Sequence, residues 1–299
     1  MSSSARGASD ARERTTAAGT EIGHSGQPDV TIVIVGHSVR DELRTGLAAI
    51  DRHAEMPVEV IYVDNASSDD SVEWIQANHP EVHVVELTRN RGVASREEGL
   101  RRARGRYTMF LDSDAALTAG ALPSLVTALD EHPEWGLLGP RLVYDDGSPQ
   151  PSARRFPSLL LPLVRRPPLE QHFGDSSLVR RHLMQDMDLD RTRPVLYVLG
   201  ACQIFRTALA RSAGSFDERI FFGPDDADWC IRIRDAGGQV VYFPAATVVH
   251  GYRRASRSKP ASRLALRHLR AFAYFQWKYR RRRRDLRVLE RELDRLAAE

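Results

Sequence analysis

The sequence predicts an α/β fold, Rossmann-like, in which a mostly parallel, doubly wound sheet is followed by a helical C-terminal extension. Three observations carry this. Short apolar runs rich in Val and Ile alternate with helix-like stretches, the order that builds a parallel sheet through crossover helices. The runs are apolar at consecutive positions, as in strands covered on both faces. The C-terminal part is instead basic and aromatic at helical spacing.

Residues 1–29 are rich in Ser, Ala, Gly, Arg and Thr and lack the apolar stretch of a secretory signal, so they are expected to be a disordered leader. The run Val30-Thr31-Ile32-Val33-Ile34-Val35 is the first strand, and 40–53 is a helix. Residues 58–63 form the second strand. A short helix follows over 71–78, with Asp69 or Asp70 near its N-cap. The third strand is 82–87, the next helix 92–103, and the fourth strand 107–111. A helix over 122–131 is stopped by Pro133, and 137–143 is a fifth strand. Residues 149–194 have no clear period. This stretch is expected to be a loop or lid, since long irregular segments in compact domains are usually functional or disordered. Order returns with a strand over 195–205, a helix over 226–236 closed by Gly237-Gly238, and a short strand over 239–243. The expected organisation is a leader (1–29), an α/β domain (30–252) and a basic helical tail (253–299).

With 299 residues and 42% hydrophobic content, the chain can bury one large α/β core. Net charge is only +3, yet residues 252–284 hold 13 Lys/Arg and no acid, which points to an anionic partner for that part. Cys202 and Cys230 lie far apart without CxxC spacing. They suggest neither a zinc site nor a disulfide framework, and a reduced cytoplasmic protein is the simplest reading. No apolar stretch approaches the ~20 residues that span a bilayer.

The most informative motif is Asp112-Ser113-Asp114 at the end of the apolar run Tyr107-Thr108-Met109-Phe110-Leu111. Two acids one residue apart at the end of a buried strand suit a divalent cation such as Mg²⁺ or Mn²⁺, whose usual service is to hold phosphates. Ligands of open α/β sheets bind just beyond the carboxyl ends of the strands. A solvated turn after a strand also uses Asp and Ser. Asp64, ending the second strand, can accept hydrogen bonds from a ribose or base, or simply open a well-capped helix. Asn90-Arg91-Gly92 with Arg96 combines a close-approach glycine with phosphate-binding guanidinium groups. Asp225, Asp226 and Asp228 place three acids at a helix start that precedes Trp229-Cys230-Ile231. That exceeds what capping and the macrodipole need, and a carboxylate there can serve as a general base. His250 follows an apolar strand. Neutral imidazole is a good metal ligand, though a lone His is more often structural.

Taken together, the order of these motifs resembles the family-2 glycosyltransferases, which have the GT-A fold. The resemblance covers about 30–252 and rests on Asp64-Asn65-Ala66-Ser67-Ser68-Asp69, Asn90-Arg91-Gly92, Asp112-Ser113-Asp114, Gly200-Ala201-Cys202-Gln203-Ile204-Phe205-Arg206, Gly214-Ser215-Phe216-Asp217-Glu218, Asp225-Asp226 and His250. Gly139-Pro140-Arg141-Leu142, Asp146-Gly147-Ser148 and Ser152-Ala153-Arg154-Arg155-Phe156-Pro157 look like the rhamnosyltransferase-like branch, whose members include enzymes that extend lipid-linked glycans. The Asp225-Asp226 pair is also similar to that of galactofuranosyltransferases.

The resemblance implies an inverting transfer from a nucleotide-sugar donor to a hydroxyl of a glycan or lipid-linked acceptor. dTDP-rhamnose is the first expectation for the donor and UDP-galactofuranose the second. By the same resemblance Asp64 contacts the nucleoside, and Arg91, Gly92, Arg96, Asp112, Gly200 and Ala201 belong to the donor site. Asp112, Asp114 and His250 hold the metal. Asp226 is the catalytic base, with Asp225 shaping its orientation and pKa. Two departures stand out: Gly36-His37-Ser38 replaces a Thr-Tyr-Asn-like turn, and Glu97 stands where Asn is common.

Residues 262–279 followed by Arg280 to Arg284 suit a helix on an anionic membrane surface, which places the enzyme peripherally at the inner face of the plasma membrane. They suit equally a helix packed on the catalytic domain with a solvated basic face. Leu286, Leu289, Leu293 and Leu296 mark a further short amphipathic helix. A sugar nucleotidyltransferase is the competing enzyme class, but 36–40 lacks its Gly-rich loop. A nucleic-acid binder is disfavoured because the acids at 112, 114, 225, 226 and 228 would repel that partner.

Overall fold

The computed structural model describes residues 11–12, 28–165, 169–251 and 263–296. The predicted alternation is present. Strand β1 (Val30–Gly36) is followed by helix α1 (Arg40–His53), β2 (Val58–Asp64), α2 (Ser71–Asn78) and β3 (His83–Leu87). A 3-10 turn leads into α3 (Arg96–Arg102), then β4 (Tyr107–Asp112), β5 (Ala115–Leu117), α4 (Ala121–Glu131) and β6 (Trp135–Val143). After the 149–194 segment come β7 (Cys202–Arg206), α5 (Asp225–Asp235), β8 (Gln239–His250), α6 (Arg263–Lys278) and α7 (Arg283–Leu296). Most of the expected leader lies outside the described residues. Within it, Ala11 and Arg12 pair antiparallel with Leu87 and Glu86 of β3.

The main sheet runs β3-β2-β1-β4-β7-β6-β8. Strands β1 to β4 are mutually parallel, as is the β6–β8 pair. β7 departs from the parallel expectation: it lies between β4 and β6 and is antiparallel to both. The order in which strands are added reverses between the parallel β1 and β4, so Gly36 and Asp112 end side by side at the switch point, where α/β sheets bind ligands.

The strands read as continuous apolar runs because both faces are covered. On one face Ile32, Ile34, Met109 and Leu111 pack with Leu43, Leu47 and Ile50 of α1 and Leu122, Leu125 and Leu129 of α4. On the other, Val33, Phe110 and Phe205 pack with Leu100 of α3, Trp229 and Ile233 of α5, and Phe275 of α6.

Two predicted strands change. The run over 195–205 splits: Tyr197–Val198 forms a two-stranded ribbon with Ala153–Arg154, and only Cys202–Arg206 joins the main sheet. The break falls at Gly200 and Ala201, where the chain turns past Arg96. The last strand runs to His250 rather than stopping at Phe243, because a register shift between Phe243 and Thr247 absorbs Pro244 and pairing then resumes. The 149–194 segment carries short helices at Leu161–Val164, Leu169–Phe173 and Ser177–His182. Arg155 within it is buried and bonds Asp186 and Asp294, while the Phe156 N–H donates to Glu290 of α7.

The tail helices pack on the α/β domain. Phe275 and Tyr279 are buried beside Phe156 and Trp229, and Leu286 enters the same core. Asp228, nearly fully buried, accepts hydrogen bonds from Lys278 (2.5 Å), Tyr279 (2.9 Å) and Arg232 (3.0 Å). This third acid of the 225–228 cluster therefore ties α6 to α5. Asp228→Asn is expected to cost about 3 kcal/mol in urea unfolding. That is the low end for breaking a buried pair, since Lys278 stays partly hydrated.

Candidate active site

One cavity of about 660 Å³ opens over the carboxyl ends of β1 and β4. Its wall includes Gly36, Asn65, Gly92, Arg96, Asp112, Asp114, Gly200, Ala201, Asp225, Asp226 and His250. Residues as far apart in sequence as Gly36 and His250 thus converge on one site.

Asp112, the last residue of β4, and Asp114 in the turn that follows lie beside His250 at the end of β8. The pairing of β8 with β5 brings them together, with His250 opposite Ala115. One ligand atom from each of the three lies within 4.8 Å of the others, and His250 Nε2 is 3.3 Å from Asp114 Oδ1. His250 Nδ1 is 2.7 Å from Oε1 of the buried Gln150. That oxygen only accepts, so Nδ1 carries a proton and Nε2 faces the carboxylates, where a bound cation would meet its lone pair. Two carboxylates and an oriented imidazole form a donor set that fits Mn²⁺ or Mg²⁺. Burial works against the charged imidazole, but Asp114 and Asp112 outweigh it and raise the His250 pKa. Sequence reasoning missed Gln150. It sits between two prolines in a short strand beside Leu142, with no periodic signal to mark it.

Arg96 opens α3 and is buried. Its Nη2 donates to Asp112 Oδ1 (2.7 Å) and to the Gly200 carbonyl (3.0 Å), and Nη1 lies 3.6 Å from Asp225. The guanidinium also sits 5.2 Å over the Phe110 ring. Gly200 eases this approach, since a Cβ there would crowd Arg96 Nη1 at 3.1 Å. The Asp112 N–H donates to the Ala201 carbonyl at 2.9 Å, fixing the two chains at this point.

Asp225 and Asp226 open α5. Asp225 accepts from the Gly223 N–H (3.1 Å) and Asp226 from the Ala227 N–H (2.8 Å). Burial raises both pKa values. For Asp226 the neighbouring Asp225 charge adds to burial, whereas for Asp225 the facing Arg96 opposes it. Asp226 is therefore a carboxyl held on the edge of ionisation, the condition of a general base.

Two expected donor ligands stand behind the wall. Asp64 is buried and accepts from the Ser67 N–H (3.0 Å) and Tyr62 hydroxyl (3.4 Å), and Asn65 faces the cavity in its place. Arg91 turns to Glu98 (3.0 Å) and Glu218 (2.7 Å). Its N–H donates to Asn65 Oδ1 at 2.8 Å, so its service is to hold the loop. Gly92 does line the cavity. Its φ of +61° and a Cβ that would fall 2.1 Å from the Phe221 carbonyl both demand glycine. Glu97 faces away from the cavity and accepts the Phe216 N–H (3.2 Å), which removes the conflict of an acid near a diphosphate. At the other departure, Gly36 and His37 line the cavity and His37 Nδ1 bonds the Asn65 carbonyl at 3.1 Å.

The family model described as "Glycosyl transferase family 2" matches residues 31–209, more than half of the chain. The chain belongs to glycosyl transferase family 2. It is a glycosyltransferase with the GT-A fold. It is 28% identical over 257 residues to the N-acetylglucosaminyl-diphospho-decaprenol L-rhamnosyltransferase of Mycobacterium tuberculosis (strain H37Rv), spanning 79% of this chain and 80% of that protein. Among solved structures it resembles GalNAc-T7 with UDP, GalNAc and Mn²⁺, with a TM-score of 0.58 and 16% identity over 83% of this chain and 48% of that one. It also resembles the mannosyltransferase PcManGT of Pyrobaculum calidifontis with GDP-Man and Mn²⁺, with a TM-score of 0.54 and 21% identity over 84% of this chain and 64% of that one. The chain thus spans under two thirds of these solved chains, and at such identity the likeness is one of fold.

Gln150→Ala is expected to weaken Mn²⁺ binding about 10- to 100-fold, the usual effect of removing the partner that orients a metal-binding imidazole. Electron paramagnetic resonance titration of free Mn²⁺ reads this directly, with thermal unfolding confirming that the fold is kept.

Proposed function

We propose that this chain is an inverting glycosyltransferase that moves a sugar from a nucleotide-diphosphate donor to a hydroxyl of a glycan or lipid-linked acceptor, assisted by a divalent metal. One observation carries the reading: the Asp112–Asp114–His250 trio and the buried Asp225–Asp226 pair face one cavity, bridged by Arg96. A bound Mn²⁺ or Mg²⁺ would supply charge neutralisation for a leaving diphosphate. The chain's own residues do the rest. Gly92, Gly200 and Ala201 let the donor approach the backbone, with Arg96 holding Asp112 beneath it. Arg91 acts in the donor site by holding Asn65, which receives the nucleoside side of the ligand, and Asp64 by holding the turn at Ser67 beside it. Asp226 takes the proton from the acceptor hydroxyl as that oxygen attacks the anomeric carbon. The bond from the anomeric carbon to the diphosphate oxygen breaks, and a single displacement inverts the configuration.

For the donor, dTDP-rhamnose is favoured by the M. tuberculosis relative, an L-rhamnosyltransferase, and by the motifs over 139–157. UDP-galactofuranose is the second reading, on the Asp225-Asp226 pair. That relative's name includes a diphospho-decaprenol acceptor, which supports a lipid-linked acceptor here. Among the described residues no helix is long and apolar enough to cross a membrane. The basic stretch 253–284 lies partly outside the described residues. Its described part is packed on the domain, yet leaves Leu266, Trp277, Arg280, Arg281 and Arg284 exposed. We assign this exposed face to an anionic membrane surface, which places the enzyme in the cytoplasm at the inner face of the plasma membrane.

Asp226→Asn is expected to lower kcat about 10²- to 10⁴-fold. Because Asp226 works ionised and its pKa is raised, kcat/KM should climb with pH above the ordinary carboxylate range. Asp225→Asn removes the neighbouring charge and should move that ascending limb to lower pH. Steady-state rates measured across pH test both. Near-normal turnover by Asp226→Asn, or a limb unmoved by Asp225→Asn, would contradict the assignment.

A further inference from the structure

The cavity continues past Asp226 into a half that the donor chemistry does not use. Its wall comes from the 152–182 segment and α6, and includes Arg154, Arg165, His182, Pro157, Leu161 and Phe272. The acids lining the cavity are Glu42, Asp112, Asp114, Asp225 and Asp226, and none of them comes from the 152–182 segment or α6. Arg154 is buried and stands directly opposite Tyr197 in the two-stranded ribbon, so the two side chains share a face. Tyr197 in turn hydrogen-bonds His182 Nε2 at 3.4 Å, and His182 Nδ1 donates to the Arg155 carbonyl at 2.9 Å. Burial first, then the charges of Arg154 and Arg165, hold the His182 imidazole neutral, so two guanidinium groups converge here. Arg154 also faces Asp226 closely enough to favour its ionised form.

Beyond these cations the surface turns apolar. Leu159 (55% exposed) and Leu160 (57%) immediately precede Leu161, and Leu266 (49%) lies on α6 one turn before Arg270. Phe222 (42%) sits against His268 of α6, with ring centroids 6.1 Å apart. The same wall therefore carries a carboxyl base, two guanidinium groups and the buried Pro157, Leu161 and Phe272, with exposed apolar side chains beside them. Guanidinium forks match phosphate oxygens, and an exposed apolar patch at a cavity mouth marks a site for an apolar ligand or surface.

We propose that this half of the cavity is a phosphate subsite for the acceptor: Arg154 and Arg165 hold the phosphate that joins the acceptor sugar to an apolar chain, and Pro157, Leu161 and Phe272 receive the first part of that chain. The ligand class is a phosphate-linked amphiphile, distinct from the donor's nucleoside diphosphate. What the ligand does there rests on the transfer reading above; that it binds does not.

The test is calorimetric titration of the full chain with farnesyl diphosphate, farnesol or inorganic pyrophosphate in EDTA, and separately with dTDP and UDP in Mn²⁺. Farnesyl diphosphate should bind at least about tenfold tighter than farnesol or pyrophosphate, since both halves of the ligand are used. Arg165→Gln, at a half-buried position and with thermal unfolding checking that the fold is kept, should weaken farnesyl diphosphate by at least about tenfold and leave nucleotide affinity within about twofold. Asp114→Ala should do the reverse. Equal farnesyl diphosphate affinity in wild type and Arg165→Gln would overturn the proposal. So would farnesol binding as tightly as its diphosphate, or loss of farnesyl diphosphate binding in Asp114→Ala, which would seat it in the donor half. Nucleotide binding that fails while farnesyl diphosphate still binds would instead count against the transfer reading and leave the subsite standing.

Discussion

The buried guanidinium of Arg96 is the interaction on which the site depends. Removing an arginine from water costs several kcal/mol unless its donors are met. Here they meet the Asp112 carboxylate and the Gly200 carbonyl, with Asp225 at 3.6 Å and the Phe110 ring beneath. Those partners come from β4, from the turn entering β7, and from the start of α5. One group therefore sets the spacing between Asp112 and Asp225. It also explains why β7 begins late: Gly200 and Ala201 must leave strand geometry to let the guanidinium through, and a side chain at 200 would meet it.

The same arrangement places acids where the fold gains little from them. Asp225 and Asp226 are raised in pKa by burial, so their folded values lie above the unfolded ones. Their linkage contribution is fully present below the unfolded carboxylate pKa and is lost as pH rises through the raised values. Around neutrality the native state therefore holds costly carboxyl groups, which functional sites retain and structural ones avoid. Asp228 shows the contrast. It lies two residues along the same helix, yet Lys278, Tyr279 and Arg232 satisfy it and it serves the docking of α6.

Much of this was legible in the sequence, for reasons that can be named. Two-sided apolar runs and their spacing placed β1 to β4, because burial on both faces leaves no room for polar alternation. Asp112, Asp114, Asp225, Asp226 and His250 were readable because acids and a histidine at the ends of apolar elements have few structural uses. The antiparallel insertion of β7 was not legible: a fully apolar run carries no mark of direction or neighbour. Pro244 hid the second half of β8, since a register shift cannot be read from composition. Gln150 and the bridging geometry of Arg96 depend on contacts across 100 residues or more, 150 to 250 and 96 to 200, where local pattern has no reach. Arg91 and Asp64 were legible as important, but the structure gives them loop-holding contacts one layer behind the cavity wall.

The central claim is that the Asp112–Asp114–His250 trio at the ends of β4 and β8 holds a nucleotide-diphosphate donor through a divalent metal. The most direct measurement is thermal unfolding of wild type and Asp114→Ala with dTDP-, UDP- and GDP-sugars, each in Mn²⁺ or EDTA. A ligand that binds only the native state raises its apparent stability. The account predicts a rise with one nucleotide family, dTDP-rhamnose first, that requires Mn²⁺ and disappears in the variant. A rise that persists in EDTA and in Asp114→Ala, or no rise with any donor, would contradict it.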